Sequence, residues 1–122
     1  MTSYWGNQIT GSELTILQSG SYTTSERVCC PPTFTYDGGQ LTGAVQASLI
    51  ADVALARSGP VVVSDGGMAA GDAYGEMVGY DHDGTAVPIR KHLTGGVAET
   101  NTHPAATRIR DLVNSKLKTQ VP

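Results

Sequence analysis

Cysteine is nearly absent from this sequence, and so are the features that mark secreted and membrane proteins. The two cysteines, Cys29 and Cys30, are adjacent, and adjacent cysteines rarely form a disulfide with each other or serve as a zinc-ligand pair. Two free thiols suggest a reducing compartment. No apolar run reaches the ~20 residues of a membrane span, and the N-terminus lacks the basic start and apolar stretch of a signal peptide. We expect a chain made in a cytoplasm, without a membrane partner.

Aromatic and charged residues are also few. The 122 residues include one tryptophan and one phenylalanine, and 16% of them are charged. This length and composition favour a single folded domain with a modest core. The net charge of −3 gives no basic footprint for nucleic acid. The last fifteen residues carry +3 and the remainder −6, so the basic end is either a docking element for an acidic surface or an ordinary solvated helix face.

Short segments of β-forming residues, separated by glycine and aspartate turns, predict a mainly β fold with minor α structure, a small β-tulip or β-clip-like barrel. Asp37-Gly38-Gly39 and Asp81-His82-Asp83-Gly84 are strong turn signals, and Pro88 indicates an edge strand. The predicted strands are Glu13–Gln18, Ser21–Val28, Thr33–Tyr36, Pro60–Val63, Ala73–Tyr80 and Thr85–Ile89.

Two segments have helical character. Leu41–Arg57 is rich in alanine, which favours a helix, although its apolar positions are also compatible with a strand. A C-terminal amphipathic helix is predicted at about 104–118, because Pro104 suits a first helical position and the apolar residues after it fall on one face. Residues 93–101 are predicted to form a loop.

The N-terminal residues 1–12 are too polar to hold themselves in place by burial. Tyr4, Trp5 and Ile9 are isolated apolar residues in this segment. We therefore expect residues 1–12 to form an extended N-terminal arm, and residues 13–122 to form the single β-rich domain with its C-terminal helix.

No catalytic, cofactor or metal site is assigned from the sequence. Asp81-His82-Asp83-Gly84 has metal-ligand chemistry, but a hairpin turn explains it better. A zinc site distributed over His82, His92 and His103 is the remaining metal hypothesis. Cys29 lacks an activating motif around it.

The segment Val61–Ile89, VVVSDGGMAAGDAYGEMVGYDHDGTAVPI, has a strand, two glycine turns, a second strand, a polar hairpin and a return strand to proline. It resembles the glycine-punctuated β segment of head decoration (capsid cement) proteins of tailed phages. The resemblance implies a β-tulip module on the capsid exterior of a virion. It further implies a homotrimer at local three-fold axes and an N-terminal arm that pairs with the major capsid protein.

These implications give the functional predictions. The protein is expected to be a non-enzymatic virion structural protein, a capsid decoration or cement subunit without cofactors or nucleic acid. Tyr4, Trp5 and Ile9 are the expected capsid-binding residues of the arm. The alternatives are another small phage structural protein (minor coat, tail or connector) with the C-terminal helix as its packing element, or a small metal-dependent enzyme or ligand-binding barrel. The expected subunit contacts are Asp65, Met68, Tyr74, Met77 and Tyr80.

Overall fold

The computed structural model describes residues 2–6, 11–28, 33–65, 74–92 and 97–117. They form eight strands and two helices, which confirms the prediction of a mainly β fold with minor α structure. In chain order the elements are β1 (Thr2–Gly6), β2 (Gly11–Ile16), β3 (Ser21–Val28), β4 (Thr33–Gln40), α1 (Gly43–Ala56), β5 (Val61–Asp65), β6 (Tyr74–Tyr80), β7 (Ala86–His92), β8 (Val97–Asn101) and α2 (Pro104–Lys116).

The strands form one antiparallel sheet in the order β4-β3-β2-β1-β6-β7-β8-β5. The sheet is open, because its end strands do not pair with each other: within the described residues, β4 pairs with β3 and β5 pairs with β8. The predicted small barrel is therefore not closed, and among the described strands β4 and β5 form the two edges of the sheet.

Both helices lie on one face of the sheet and supply half of the hydrophobic core. Alternate residues of a strand face the same way, so Leu14 and Ile16 of β2, Met77 of β6, and Val87 and Ile89 of β7 form one cluster with the helices. The largest fully buried side chains are Leu14, Met77, Ile89, Ile109, Val87 and Val113.

Both predicted helices are confirmed. In α1, Thr42 is the N-cap and its hydroxyl accepts a hydrogen bond from the Val45 N–H at 3.3 Å. In α2, Pro104 occupies the first turn and the ring of the His103 N-cap accepts from the Ala105 N–H at 3.0 Å. These side chains satisfy N–H groups that have no partner within a helix.

The N-terminal segment does not form a separate arm in this structure. β1 lies in the middle of the sheet, where Trp5 pairs with Ser12 of β2 and with Gly75 of β6. Both edges of β1 are therefore occupied by its own chain. It cannot add as a strand to the sheet of another protein, which was the expected role of Tyr4 and Trp5.

Three local predictions were also wrong. Asp37-Gly38-Gly39 continues β4 instead of turning, because it pairs in register with β3. Pro88 lies in β7, between β6 and β8, at a register shift opposite Met77 and Val78, and bulges are the other place where sheets accept proline. Residues 97–101, predicted to be loop, form β8.

Candidate protein-binding surface

A groove of about 290 Å³ opens at one end of the sheet, between α1 and two strand connections. Its floor is formed by buried apolar side chains and its rim by half-exposed ones, Leu17, Ile50 and Tyr80. The remaining lining residues are Ile16, Gln18, Leu49, Val53, Asp81 and His82. We call these nine residues the apical groove.

The β2–β3 turn forms one wall of the apical groove. The Gly20 N–H donates to the Leu17 carbonyl at 2.9 Å, and Gly20 has φ of +87°, a conformation that glycine adopts at little cost. The side-chain amide of Gln46 on α1 donates to the Gln18 carbonyl. A helix side chain thus fixes the turn that presents Leu17 to solvent.

The β6–β7 turn, predicted from Asp81-His82-Asp83-Gly84, forms the opposite wall. The Asp81 N–H donates to the Thr85 carbonyl and the Gly84 N–H donates to the Asp81 carbonyl, both at 2.9 Å. The Asp83 carboxylate accepts from the Thr85 N–H at 3.0 Å, which closes an Asx turn. The hairpin prediction is confirmed for these residues.

One arginine connects this hairpin to the end of α1. The Arg57 guanidinium donates to Asp81 at 3.2 Å and to Asp83 at 3.0 Å. Hydrogen bonds from His82 and Arg57 lower the pKa of Asp81. Hydrogen bonds from Thr85, and then from Arg57, lower the pKa of Asp83. Both carboxylates thus accept hydrogen bonds from their own chain, and the Arg57 guanidinium balances one of their two negative charges.

The floor of the apical groove depends on a close approach of α1 to the sheet. A Cβ atom added at Gly79 of β6 would lie 3.0 Å from Cγ2 of Val53. The absence of a side chain at Gly79 lets Val53 pack directly on the strand, and Leu49 and Val53 are buried there.

The chemistry of the apical groove suits binding of apolar side chains. Its floor is aliphatic, its rim exposes Leu17, Ile50 and the Tyr80 ring, and the carboxylate of Asp81 already accepts hydrogen bonds from His82 and Arg57. Full burial of an exposed aliphatic side chain is worth about 1.5–3 kcal/mol, and burial of these half-exposed rim residues is worth about half of that each, so the apical groove is a candidate surface for binding an apolar partner.

The structure places the predicted contact residues in different parts of the fold. Tyr80 lines the apical groove. Met77 is fully buried in the core, so its predicted role as a subunit contact is wrong. Asp65 ends β5 at the sheet edge, and Tyr74 begins β6. Ile9 and Met68 lie outside the described residues.

The three histidines of the zinc hypothesis are not brought together. His82 lies in the β6–β7 turn and His92 at the far end of β7, about 20 Å along the strand. His103 caps α2. Among the residues that the structure describes, no group of three or more His, Cys, Asp or Glu side chains could hold a metal ion. The three-histidine hypothesis is therefore wrong.

The basic C-terminal region has partners within its own chain. Arg108 forms a bidentate contact with Asp52 of α1, at 2.8 Å for the shortest pair. The Lys116 ammonium lies 5.3 Å from the centroid of the Tyr22 ring. Two of the four basic side chains thus help to hold α2 in place.

No helix in the described ranges is long and apolar enough to cross a membrane.

Comparison with protein-family models, with curated proteins and with solved structures finds no match to this chain.

Sequence reasoning missed Leu17 and Ile50. The sequence did contain an indication for Ile50. The apolar residues of α1 surround the helix instead of forming one stripe, and a helix of this kind needs burial on more than one side. Leu17 had none, because its exposure depends on how the β2–β3 turn packs against Gln46.

Proposed function

We propose that the chain is a structural subunit of a virion, a decoration or cement protein that binds the major capsid protein on the exterior of a phage head. The apical groove is the observation that carries this proposal. It is an apolar recess with half-exposed Leu17, Ile50 and Tyr80 at its rim, and the resemblance of Val61–Ile89 to capsid cement proteins gives the class of partner. The resemblance also implies a homotrimer, which is an alternative to the two-fold pairing of β5 described below, and the mass of the isolated chain in solution distinguishes the two.

In this proposal the shell is bound by the apical groove rather than by the N-terminal segment. A loop or helix of the capsid protein inserts apolar side chains between α1 and the two turns. Many copies around a symmetric head then make a modest contact effective through multivalency. The protein would be made in the host cytoplasm and end on the head exterior.

The alternative structural role, with the C-terminal helix as packing element, has less support. Ala105, Ala106, Ile109 and Val113 of α2 are buried in the core of the chain itself. The apolar face of α2 is therefore already used, whereas the apical groove is open.

Co-sedimentation with phage heads that lack decoration tests the proposal. Ile50→Lys places a charge at the rim of the groove and should weaken binding at least about tenfold, because each 1.4 kcal/mol of lost contact is a factor of ten. Leu55→Lys is the matched control, since Leu55 is also a half-exposed residue of α1 but does not line the groove. Equal binding by the two variants would contradict the proposal, and electron microscopy of labelled particles would show whether the chain lies on heads or tails.

A further inference from the structure

We propose that the free edge of β5 pairs with β5 of a second copy of this chain, antiparallel, around a two-fold axis. This inference concerns how copies associate and does not rest on the proposed shell binding. Within the described part of the chain, β5 has one neighbour, β8. An unpaired strand edge is a template for another strand. The valine-rich sequence of β5 makes a second β5 strand a suitable partner.

Three consecutive valines form the exposed edge. Val61, Val62 and Val63 are 41%, 48% and 62% exposed. Natural proteins protect exposed edges with lysine, with proline or with bulges, whereas the β5 sequence is VVVSD. Because successive side chains alternate between faces, Val61 and Val63 lie on one face and Val62 on the other, and a second β5 would add its own valines beside them on both faces.

The backbone hydrogen-bonding pattern fixes which groups are available. The Thr102 N–H donates to the Pro60 carbonyl at 2.9 Å. Hydrogen-bonded pairs alternate along an antiparallel ladder, so Val62 and Ser64 also direct their backbone groups toward β8. The groups that point away from β8 belong to Val61, Val63 and Asp65.

This pattern restricts the pairing of two β5 strands to certain registers. In these registers, residues whose backbone groups point away from β8 lie opposite each other. The longest such pairing places Val63 opposite Val63 and Val61 opposite Asp65, and uses every outward N–H and carbonyl. Charge agrees with this direction, because a parallel pairing would place Asp65 opposite Asp65. In the antiparallel pairing the two Asp65 residues stand four positions apart, about 13 Å along the strands.

The other edge fits a copy of itself less well. All of β4 is exposed, but Asp37, Gly38 and Gly39 lie in its centre, and glycine weakens strand pairing while aspartate is unfavourable in strands. β5 keeps its polar residues at one end. The two edges therefore differ, and the apolar one is the candidate for pairing between copies.

Light scattering during size-exclusion chromatography of the full chain tests the pairing. The expected result is a mass of two chains, with the dimer dissociation constant raised at least about tenfold by Val63→Lys, which sets two like charges opposite each other on the axis. Leu55→Lys is the control, because Leu55 is similarly exposed, at 51%, and lies outside both β5 and the apical groove; it should remain a dimer. A single-chain mass at every soluble concentration, a mass of three chains, or an unchanged Val63→Lys dimer would overturn the inference.

Cross-linking gives a measurement that does not depend on how Val63→Lys folds. In a Cys29→Ser/Cys30→Ser background, Val63→Cys should form a disulfide between copies, because hydrogen-bonded partners lie about 5.5 Å apart at Cα, within disulfide range. Val62→Cys faces Ser64 of the other copy and should cross-link at least about tenfold more slowly. Equal cross-linking of both variants, or of neither, would contradict the register. Failure of head binding with intact dimers would refute the proposed function alone.

Discussion

Gly79 sets the distance between α1 and the sheet, and it gives the sharpest test of the packing. An added Cβ would lie 3.0 Å and 3.2 Å from the two methyl carbons of Val53. Gly79→Ala should therefore lower the free energy of unfolding by about 1–3 kcal/mol through overpacking. Gly43→Ala is the control, because a Cβ there meets nothing within 4 Å and alanine favours a helix. Denaturant unfolding measures both, and equal effects would show that the close approach is wrong.

Asp83 predicts a pH dependence of stability. Hydrogen bonds from Thr85, then from Arg57, lower its pKa in the folded protein, so the unfolded state binds a proton first as the pH falls. The stabilisation is complete above a pH of about 4 and is lost as the pH falls below it.

The measurement for Asp83 is the difference in unfolding free energy between wild type and Asp83→Asn, taken at neutral pH and in acid. This difference should shrink as the pH falls below about 4. Leu55→Ala, which changes an exposed position of α1 without a titratable group, should show no such change over the same interval. A difference that stays constant with pH would refute the role of the Asp83 carboxylate.

At the level of elements, Asn101 joins the ends of α1, β7 and α2. Its buried amide donates to the Ala56 carbonyl at 2.8 Å and to the Pro88 carbonyl at 2.9 Å, and its oxygen accepts from the His103 N–H at 3.1 Å. One side chain thereby satisfies three backbone groups where elements end, and a buried polar group left unpaired costs about 1–3 kcal/mol.

Asn101→Ala should destabilise the protein by about 2–3 kcal/mol, because it leaves the Ala56 and Pro88 carbonyls without their donor. Asn101→Asp keeps the acceptor for the His103 N–H but loses both donor bonds, so it should be destabilised by a similar amount. Thermal or denaturant unfolding measures both. An Asn101→Asp variant as stable as wild type would show that the donor bonds contribute little.

The elements that could be predicted are those with a local signal. α2 has Pro104 at its start and an apolar face, and the β6–β7 hairpin has its turn residues. β1 (TSYWG) and β8 (VAETN) were missed because they lie between two neighbours each, and pairing from both sides forms them without a strong apolar pattern. Gly39 stays extended because it packs against Tyr22, where a Cβ would meet the ring. The groove required this long-range packing: among its rim residues Tyr80 was predicted as a contact, Ile50 had only a local signal, and Leu17 had none.

At the scale of the whole molecule, the position of β1 distinguishes two models of the N-terminal segment, a free arm and a central strand of the sheet. A free arm would bind a capsid and contribute little to the stability of its own domain. A central strand, paired with β2 and β6, holds the two halves of the sheet together, and the core side chains of both halves lie on either side of it. These two models predict opposite effects of removing the N-terminus.

Deletion of residues 1–6 should therefore abolish cooperative unfolding or lower the midpoint of thermal unfolding by more than about 10 °C, since it removes every hydrogen bond that links β2 to β6. Hydrogen exchange on the isolated full chain provides the matched measurement. Amides of Thr2–Gly6 should exchange more slowly than those of the edge strand β4, because pairing on both sides requires a larger opening. A truncated chain that unfolds like wild type, together with fast exchange at residues 2–6, would support the model in which the N-terminal segment is a free arm. The capsid contact would then belong to Tyr4 and Trp5 instead of the apical groove.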